Sequence, residues 1–462
     1  MRPIMLQGCT SDAGKSLLAA GLCRALVNRG FQVAPFKAQN MSNFAAITPD
    51  GGEIGRAQWL QAKACRLAPH TDMNPVLIKP ESDMRSQVIV NGEVDHEVTK
   101  LPWMQRKQRL WPHVESALAR LQSKYDVVVI EGAGSPAEVN LRAGDIVNMA
   151  VALHCNARVQ LIADIHRGGA YAHLLGTWHC LSASEQNLVQ GFVLNMFRGD
   201  ASLLAPADEW ILQQTGIAVS GCIPYWPHRL PDEDSWRHQS SFIQGQTNIA
   251  VVVYPYASNL DELDVLLQEE GVNLVPIRHG QSLVGFDAVI LPGSKNSLAS
   301  LAWLHEQGLA AQIPKVAHRF GICGGLQILG ESLAAEDNSQ QAQGLGLLPL
   351  TTSMQANKVT QLTTVKTEFD VSVTGYEIHH GKTSGKAEKH LDDELGWRQG
   401  QTIGVYLHDI FTNDDYRQWW LEQLGWRGQV RPWQQRIDQE LDRLADMLER
   451  TGWVDNVVKQ EG

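Results

Sequence analysis

The first half of the chain alternates two kinds of apolar pattern. Short, nearly unbroken apolar runs occur at Ile4–Gln7, Val33–Phe36, Val127–Ile130, Val159–Ala163 and Gly191–Asn195. Runs of that length and composition predict strands buried on both faces. Between them lie stretches such as Lys15–Asn28 and Trp111–Ser123, amphipathic at helical spacing. The alternation predicts a mostly parallel sheet with helices on both sides. From Arg229 to Thr247 the segment PDEDSWRHQSSFIQGQT is polar and without a period, which marks a linker. A second series follows, with strands predicted at Ile249–Tyr254 and Ala288–Leu291 and helices at Leu260–Glu269 and Ser297–Gln307. Near the end, Gln434–Glu449 places Ile437, Leu441, Leu444 and Leu448 on one stripe of a charged helix. The predicted fold class is α/β: two tandem three-layer domains with mostly parallel sheets. The predicted divisions are 1–228, a linker at 229–247, and 248–462 with the C-terminal helix included.

Composition adds limits. At 462 residues the chain exceeds one ordinary domain, and 44% hydrophobic against 19% charged residues leaves enough apolar material for separate cores. The formal net charge of −11, with no run of Lys or Arg, argues against nucleic acid or a membrane surface as a partner. An anionic small molecule must therefore be held by local devices. Seven cysteines, an odd number without a CxxC pair, fit a reducing compartment better than a disulfide framework or a structural zinc site. No signal-peptide pattern and no uninterrupted apolar stretch of about 18 residues is present, so a cytoplasmic location is expected. No obligate protein partner is evident, and the oligomeric state stays open.

Two motifs carry chemistry. Gly8-Cys-Thr-Ser-Asp12-Ala13-Gly14-Lys15-Ser16 follows the first strand and opens a helix, the context of a phosphate-binding loop. Glycines let backbone N–H groups curl around phosphate oxygens, Lys15 reaches the outer phosphates, and the Ser16 hydroxyl suits Mg²⁺. ATP is the expected nucleotide. The strand Val127–Ile130 runs into Glu131, placing a carboxylate at the sheet edge beside this loop, where a further magnesium contact belongs. Glu53 is a second candidate for that ion, or equally a helix N-terminal residue favoured by the macrodipole.

In the second half, Phe320-Gly-Ile-Cys323-Gly324-Gly325 reads as a strand-to-helix elbow with a nucleophile at its apex. The helix after it is expected to favour the thiolate. The backbone N–H of Gly324, with a second donor from Gly293, would face a developing oxyanion. The nucleophile needs a base, and His408 in Gly404-Val-Tyr-Leu-His408 follows an apolar strand that can deliver it.

These motifs carry a resemblance. The phosphate loop has five residues between its glycines rather than four, which resembles the dethiobiotin synthetase and cobyrinate amidase group. The Cys323 elbow with His408 resembles the class I glutamine amidotransferases. Those enzymes typically place a Glu two residues after the His, where this chain has Ile410; the resemblance therefore implies a Cys–His dyad. Lys37-Ala-Gln-Asn40-Met, Ser86-Gln-Val-Ile-Val-Asn-Gly92, Gly52-Glu-Ile-Gly-Arg-Ala-Gln58, Gly375-Tyr-Glu-Ile-His379 and Leu291-Pro-Gly-Ser-Lys-Asn296 extend it over nearly the whole chain, which resembles the cobyric acid synthase family.

That resemblance implies ATP- and glutamine-dependent amidation of the b, d, e and g carboxylates of adenosylcobyrinic acid a,c-diamide, a corrinoid, through an acyl phosphate. Glutamine would be the nitrogen donor and Mg²⁺ the metal. Lys37, Asn40, Arg85 and Asp145 become candidates for substrate or phosphate contact, Asp145 equally an ordinary loop residue. Asn195 is similar to an adenine-reading Asn, with capping as the competing role. His166 stands where the family commonly carries Asp, and Asp83-Met84-Arg85 where it carries Asp-Thr-Gly. Two competing readings remain: cobyrinic acid a,c-diamide synthase or another polycarboxylate amidotransferase, and a P-loop nucleotide-switch protein.

Overall fold

A computed structural model describes residues 1–82, 85–231, 238–335 and 341–459, with side chains at 81, 82, 85 and 356 left aside. The first sheet has six strands in the order Val219–Pro224, Val189–Phe197, Arg158–Asp164, Ile4–Gly8, Val127–Glu131 and Val33–Phe36. Every pairing in it is parallel. All five residues of Val127–Glu131 are buried, as a strand covered on both faces requires. Because the strands run the same way, Gly8, Lys37, Glu131, Asp164 and Asn195 all arrive at or just past one edge. Ligands of open α/β sheets bind at that carboxyl edge.

Between the second and third of these strands in chain order, a smaller sheet is inserted: Gln39–Met41, Val76–Ser82, Arg85–Val90 and Glu93–Val94. The helix Arg56–Ala64 lies within the same insertion.

The second main sheet has seven strands, ordered Val272–Ile277, Thr247–Val252, Ala288–Leu291, His318–Ile322, Thr402–Val405, Gly396–Gln399 and Glu388–Leu391. The first five are parallel and the last two antiparallel. A long antiparallel ribbon, Leu350–Lys366 with Ser372–Gly385, stands apart from this sheet and meets the first domain. The fold is thus mixed α/β with mostly parallel sheets. No helix among the described residues is long and apolar enough to cross a membrane.

The C-terminal helix differs from expectation. It spans Trp433–Arg450 and was grouped by sequence with the second domain, but most of its apolar stripe packs on the helix Lys15–Asn28 of the first. Gly21 makes this possible: a Cβ there would come within 2.5 Å of Leu448 and 2.8 Å of Leu444. Arg24, buried at the same seam, pairs with Asp438 and Asp442 at 2.8 and 3.2 Å. At its start the helix holds the other domain, through Arg436 to Glu269 at 2.9 Å and Trp433 N–H to Asp414 at 3.0 Å. It straps the two halves together. The predicted helix at Leu260–Glu269 is also broken, into a 3₁₀ turn Leu260–Leu263 and a short helix Asp264–Leu267.

Candidate functional site

The phosphate loop joins Gly8 to the helix beginning at Lys15. Gly14 has φ 86°, and the Asn195 amide lies against it, donating to Ala13 O at 2.9 Å. Lys15 Nζ donates to Thr10 O at 3.3 Å and Gly134 O at 3.2 Å, so it spans the loop and the turn after Glu131. Glu131 is fully buried and gathers the rest of the centre. Its Oε1 accepts from Ser16 Oγ at 2.6 Å and Lys37 Nζ at 2.7 Å, and its Oε2 from Gln61 Nε2 at 2.6 Å. Burial pushes this carboxyl up, but the charge of Lys37 and these hydrogen bonds outweigh it and hold the group below its ordinary value. Glu131 is therefore an anion.

A hydroxyl and an ionised carboxylate at the phosphate loop form a hard-oxygen donor pair. That suits Mg²⁺, which takes one or two protein ligands and fills the remainder with phosphates and water. Ser16 and Glu131 fit that ion. Glu53, the other candidate, does not. It is held between Lys79, in a close ion pair, and Lys358 at 2.5 Å, on the seam with the long ribbon. Two lysine side chains already occupy its oxygens.

A cavity of about 590 Å³ opens over this centre, lined by the phosphate loop, Lys37, Asn40, Glu131 and the segment from Leu141 to Met149. Arg106, Lys107 and Arg142 stand on its wall. Asp12, Glu138 and Glu185 stand there as well, so the wall carries both signs of charge. Asp145 lines it too, but its carboxylate accepts from the N–H groups of Val147, Asn148 and Ala150 at 2.8–2.9 Å. Those bonds fix the turn that leads into the helix Met149–His154, so the Asp145 carboxylate is taken up by the backbone rather than free to meet a reacting carboxyl. Asn40 is buried and donates to Gln58 Oε1 at 3.2 Å. Asp12 pairs loosely with Arg167 at 3.7 Å, and His166 is exposed, its N–H bonded to Asp164. Arg85 opens a strand, and its side chain, with Asp83 and Met84, lies outside the described residues.

The second centre is built on strain. Cys323 follows the strand His318–Ile322 with φ 49° and ψ −102°, a conformation L-residues rarely adopt and one typical of functional elbows. The turn closes because Gly325 has no Cβ: one there would fall 1.9 Å from Leu291 O. The His408 imidazole interacts with the Cys323 side chain, which favours its charged form. Its ring nitrogen Nδ1 lies 3.0 Å from Glu262 Oε1. The ring stacks on Tyr376 with centroids 5.1 Å apart and planes 10° apart. Burial works against the imidazolium, but Glu262 and Cys323 raise its pKa to about 10.

Three residues are therefore aligned, Cys323–His408–Glu262, where sequence implied two. Ile410, at the family's usual Glu position, is fully buried. Glu262 takes that place from the 3₁₀ turn Leu260–Leu263, and its Oε2 also accepts the N–H of Asp409 at 2.8 Å. The Gly293–Ser294 strand lies alongside, close enough that a Cβ on Gly293 would reach His408 Cε1 at 3.2 Å and one on Gly324 would reach Ser294 N at 2.7 Å. The motif strand Ser372–Gly385 passes the sulfur, with Ile378 O 3.5 Å from Cys323 Sγ.

Comparison with known proteins agrees with both halves. Residues 4–233 match the CobQ/CobB/MinD/ParA nucleotide binding domain, and residues 248–416 the CobB/CobQ-like glutamine amidotransferase domain. The chain is 50% identical to the cobyric acid synthase of Deinococcus radiodurans, covering 89% of this chain and 91% of that one. It is 48% identical to that of Acidovorax sp., covering 89% and 90%, and 47% identical to that of Paracidovorax citrulli, covering 89% and 91%. The chain belongs to the cobyric acid synthase family. It is an enzyme of glutamine-dependent amidation in cobalamin biosynthesis.

In this member of the family, two residues at the centres escaped sequence reasoning. Gln61 sits on the helix Arg56–Ala64, and its spacing from Arg56 and Gln58 was the only signal. Glu262 is 146 residues from His408, in a stretch without a motif.

Proposed function

We propose that the chain amidates the b, d, e and g carboxylates of adenosylcobyrinic acid a,c-diamide to give adenosylcobyric acid, using one ATP and one glutamine per amide. The observation that supports this best is the union, in one strapped chain, of a nucleophile triad for releasing ammonia and a phosphate-loop centre for activating a carboxylate.

Cys323 Sγ attacks the side-chain carboxamide carbon of glutamine, with the oxyanion taken by backbone N–H groups at Gly324 and Gly293. The C–N bond breaks, and the His408 imidazolium, held by Glu262, protonates the leaving nitrogen. Ammonia departs, and water hydrolyses the remaining thioester to glutamate. At the other centre a corrinoid carboxylate attacks the γ-phosphorus of ATP, giving an acyl phosphate and ADP. Catalysis of that step is positioning and charge neutralisation, which suits Lys15 and Lys37. Mg²⁺, held by Ser16 and Glu131, would supply charge neutralisation on the phosphates. Ammonia attacks the acyl carbon and inorganic phosphate leaves. The family resemblance supports Asn40 and Arg85 as substrate contacts and Asn195 as a contact for the base of the nucleotide.

Ammonia must pass between centres without meeting bulk water. Ala45, Ile47, Leu77 and Ile89 of the first domain form an apolar cluster with Tyr376 and Ile378 of the ribbon, and Tyr376 Oη donates to Ala45 O at 3.0 Å. That closed seam, beside Cys323, is where we place the passage. The test is mass spectrometry of the corrinoid after incubation with Mg·ATP and glutamine. A ladder of up to four amidations, lost with glutamine but kept with ammonium in Cys323→Ala, is expected. Product from cobyrinic acid with only two added amides would instead identify a diamide synthase.

A further inference from the structure

One helix touches both centres. Arg56 opens the helix Arg56–Ala64 and its side chain is 3% exposed, buried against the second domain. Nη1 and Nη2 reach the two oxygens of Asp409 at 2.9 and 2.8 Å, a bidentate fork. Nε lies 2.6 Å from Asp261 Oδ2. Asp409 directly follows His408, and Asp261 directly precedes Glu262. The guanidinium therefore joins the loop that carries the base to the turn that carries the residue orienting it. Farther along the same helix, Gln58 and Gln61 reach Glu131 Oε2 at 3.5 and 2.6 Å.

We propose that Arg56 is a positioning residue that makes the glutaminase centre depend on the state of the nucleotide centre. It clips together the loops bearing His408 and Glu262, from a helix whose next turn is anchored on Glu131. The inference rests on the amidation reading above.

Electrostatics explains why a cation belongs there. Asp261, Glu262, Asp264 and Asp409 crowd one buried spot, with Tyr376 facing them. Burial pushes the Asp261 carboxyl well above the carboxylate range, Arg56 pulls it back, and Asp409, Asp264 and Glu262 push it further up. Burial also opposes the charge of Arg56, and Asp409 and Asp261 more than restore it. Arg56 is the cation that lets the acids sit together. Without it they repel, and Glu262 is no longer held against His408 Nδ1. Lysine keeps the charge but cannot reproduce the planar fork. On the nucleotide side, Glu131 bonds to Ser16 and Lys37, the groups that phosphate and metal engage. Any change in that bonding is carried through Gln61 to the helix and its clip.

The test compares the full chain with Arg56→Lys and Arg56→Gln in three assays. These are amide formed from glutamine, amide formed from ammonium chloride, and alkylation of Cys323 by a diazoketone analogue of glutamine. Alkylation is read with and without Mg·ATP and corrinoid. In the parent chain, Mg·ATP and corrinoid are expected to accelerate alkylation. In Arg56→Lys, kcat with glutamine should fall about 100-fold, the cost of a small misplacement of a catalytic group, with KM for glutamine within about threefold. Ammonia-driven amidation should stay within about threefold of the parent, and the nucleotide response of alkylation should vanish. A parallel loss with both nitrogen sources would overturn the proposal, as would a nucleotide response that is absent in the parent or intact in Arg56→Lys. Should Arg56→Gln not fold, Asp409→Asn removes the other end of the fork and is expected to show the same split. Absence of amide from either nitrogen source in the parent would sink the amidation reading instead, while the alkylation comparison would still report on Arg56.

Discussion

The two centres of this chain solve opposite problems. Around Cys323 the reacting groups are fixed by the protein's own packing: a positive-φ nucleophile, a base stacked on Tyr376, and a carboxylate 3.0 Å from the base, all buried. Around Glu131 the polar groups are bonded to one another, with Lys37 on the oxygen that Ser16 also uses, beneath an open cavity of about 590 Å³. Covalent catalysis needs fixed atoms in the protein, so strain and burial are built in. Phosphoryl transfer needs groups that release one another and regroup on the incoming phosphates. The difference teaches where each centre is fragile. The first fails when a fixed atom moves, and the second when a charge is lost.

The sharpest way to break the comparison is to remove the nucleophile. Cys323→Ala should lower glutamine-driven amidation about 10⁴-fold or more while ammonia-driven amidation persists, since the triad acts as a unit. Glu131→Gln should instead lower amidation about 10³-fold with either nitrogen source, by removing the anion that organises Lys37 and Ser16; steady-state rates with glutamine and ammonium separate the two cases.

Glu262→Gln sharpens the contrast further. It should lower glutamine-driven kcat about 100-fold. Its pH profile has a definite sign. Glu262 helps raise His408 to about pH 10 from the ordinary imidazole value, so the imidazolium persists through the alkaline range and is lost near that value. Without the carboxylate the pKa falls, and the alkaline limb of glutaminase activity should move to lower pH. The same raised pKa stabilises the fold fully below about pH 6.5 and is lost as pH rises through about 10.

Two smaller effects probe the strap between the centres. Leu444→Ala, which empties a fully buried site against Gly21, should cost about 2–5 kcal/mol of stability in denaturant unfolding. Arg29→Ala, at the partly exposed end of the same seam near Glu449 and Asp455, should cost less than about 1 kcal/mol.

Much of the fold was legible because buried parallel strands write themselves as apolar runs: Val33–Phe36 and Ala288–Leu291 fall where the pattern places them. The long ribbon was not. Leu350–Lys366 alternates exposed with buried or half-buried positions, but Thr352, Lys358 and Thr360 sit on the inner side while Val359 and Leu362 are exposed, so its apolar residues carry no period-2 signal. The stripe of the C-terminal helix was legible, but its partner was not. An amphipathic face announces that something covers it, and only the fold reveals that Lys15–Asn28 does.

The site divides in the same way. Cys323 and the phosphate loop sit in local motifs, where neighbours in sequence must be neighbours in space. Glu262 meets His408 only through tertiary structure, and Glu53, read locally as a metal candidate, is drawn to Lys79 and Lys358 by the domain seam.

The most direct measurement is a nitrogen-source competition. The chain would be given glutamine labelled with ¹⁵N in its side-chain amide, excess unlabelled ammonium, Mg·ATP and the corrinoid diamide, and the product weighed. Ammonia released at Cys323 and passed internally predicts product that carries ¹⁵N in its new amides despite the excess. Product that takes up nitrogen in proportion to the bulk pool would contradict a joined pair of centres.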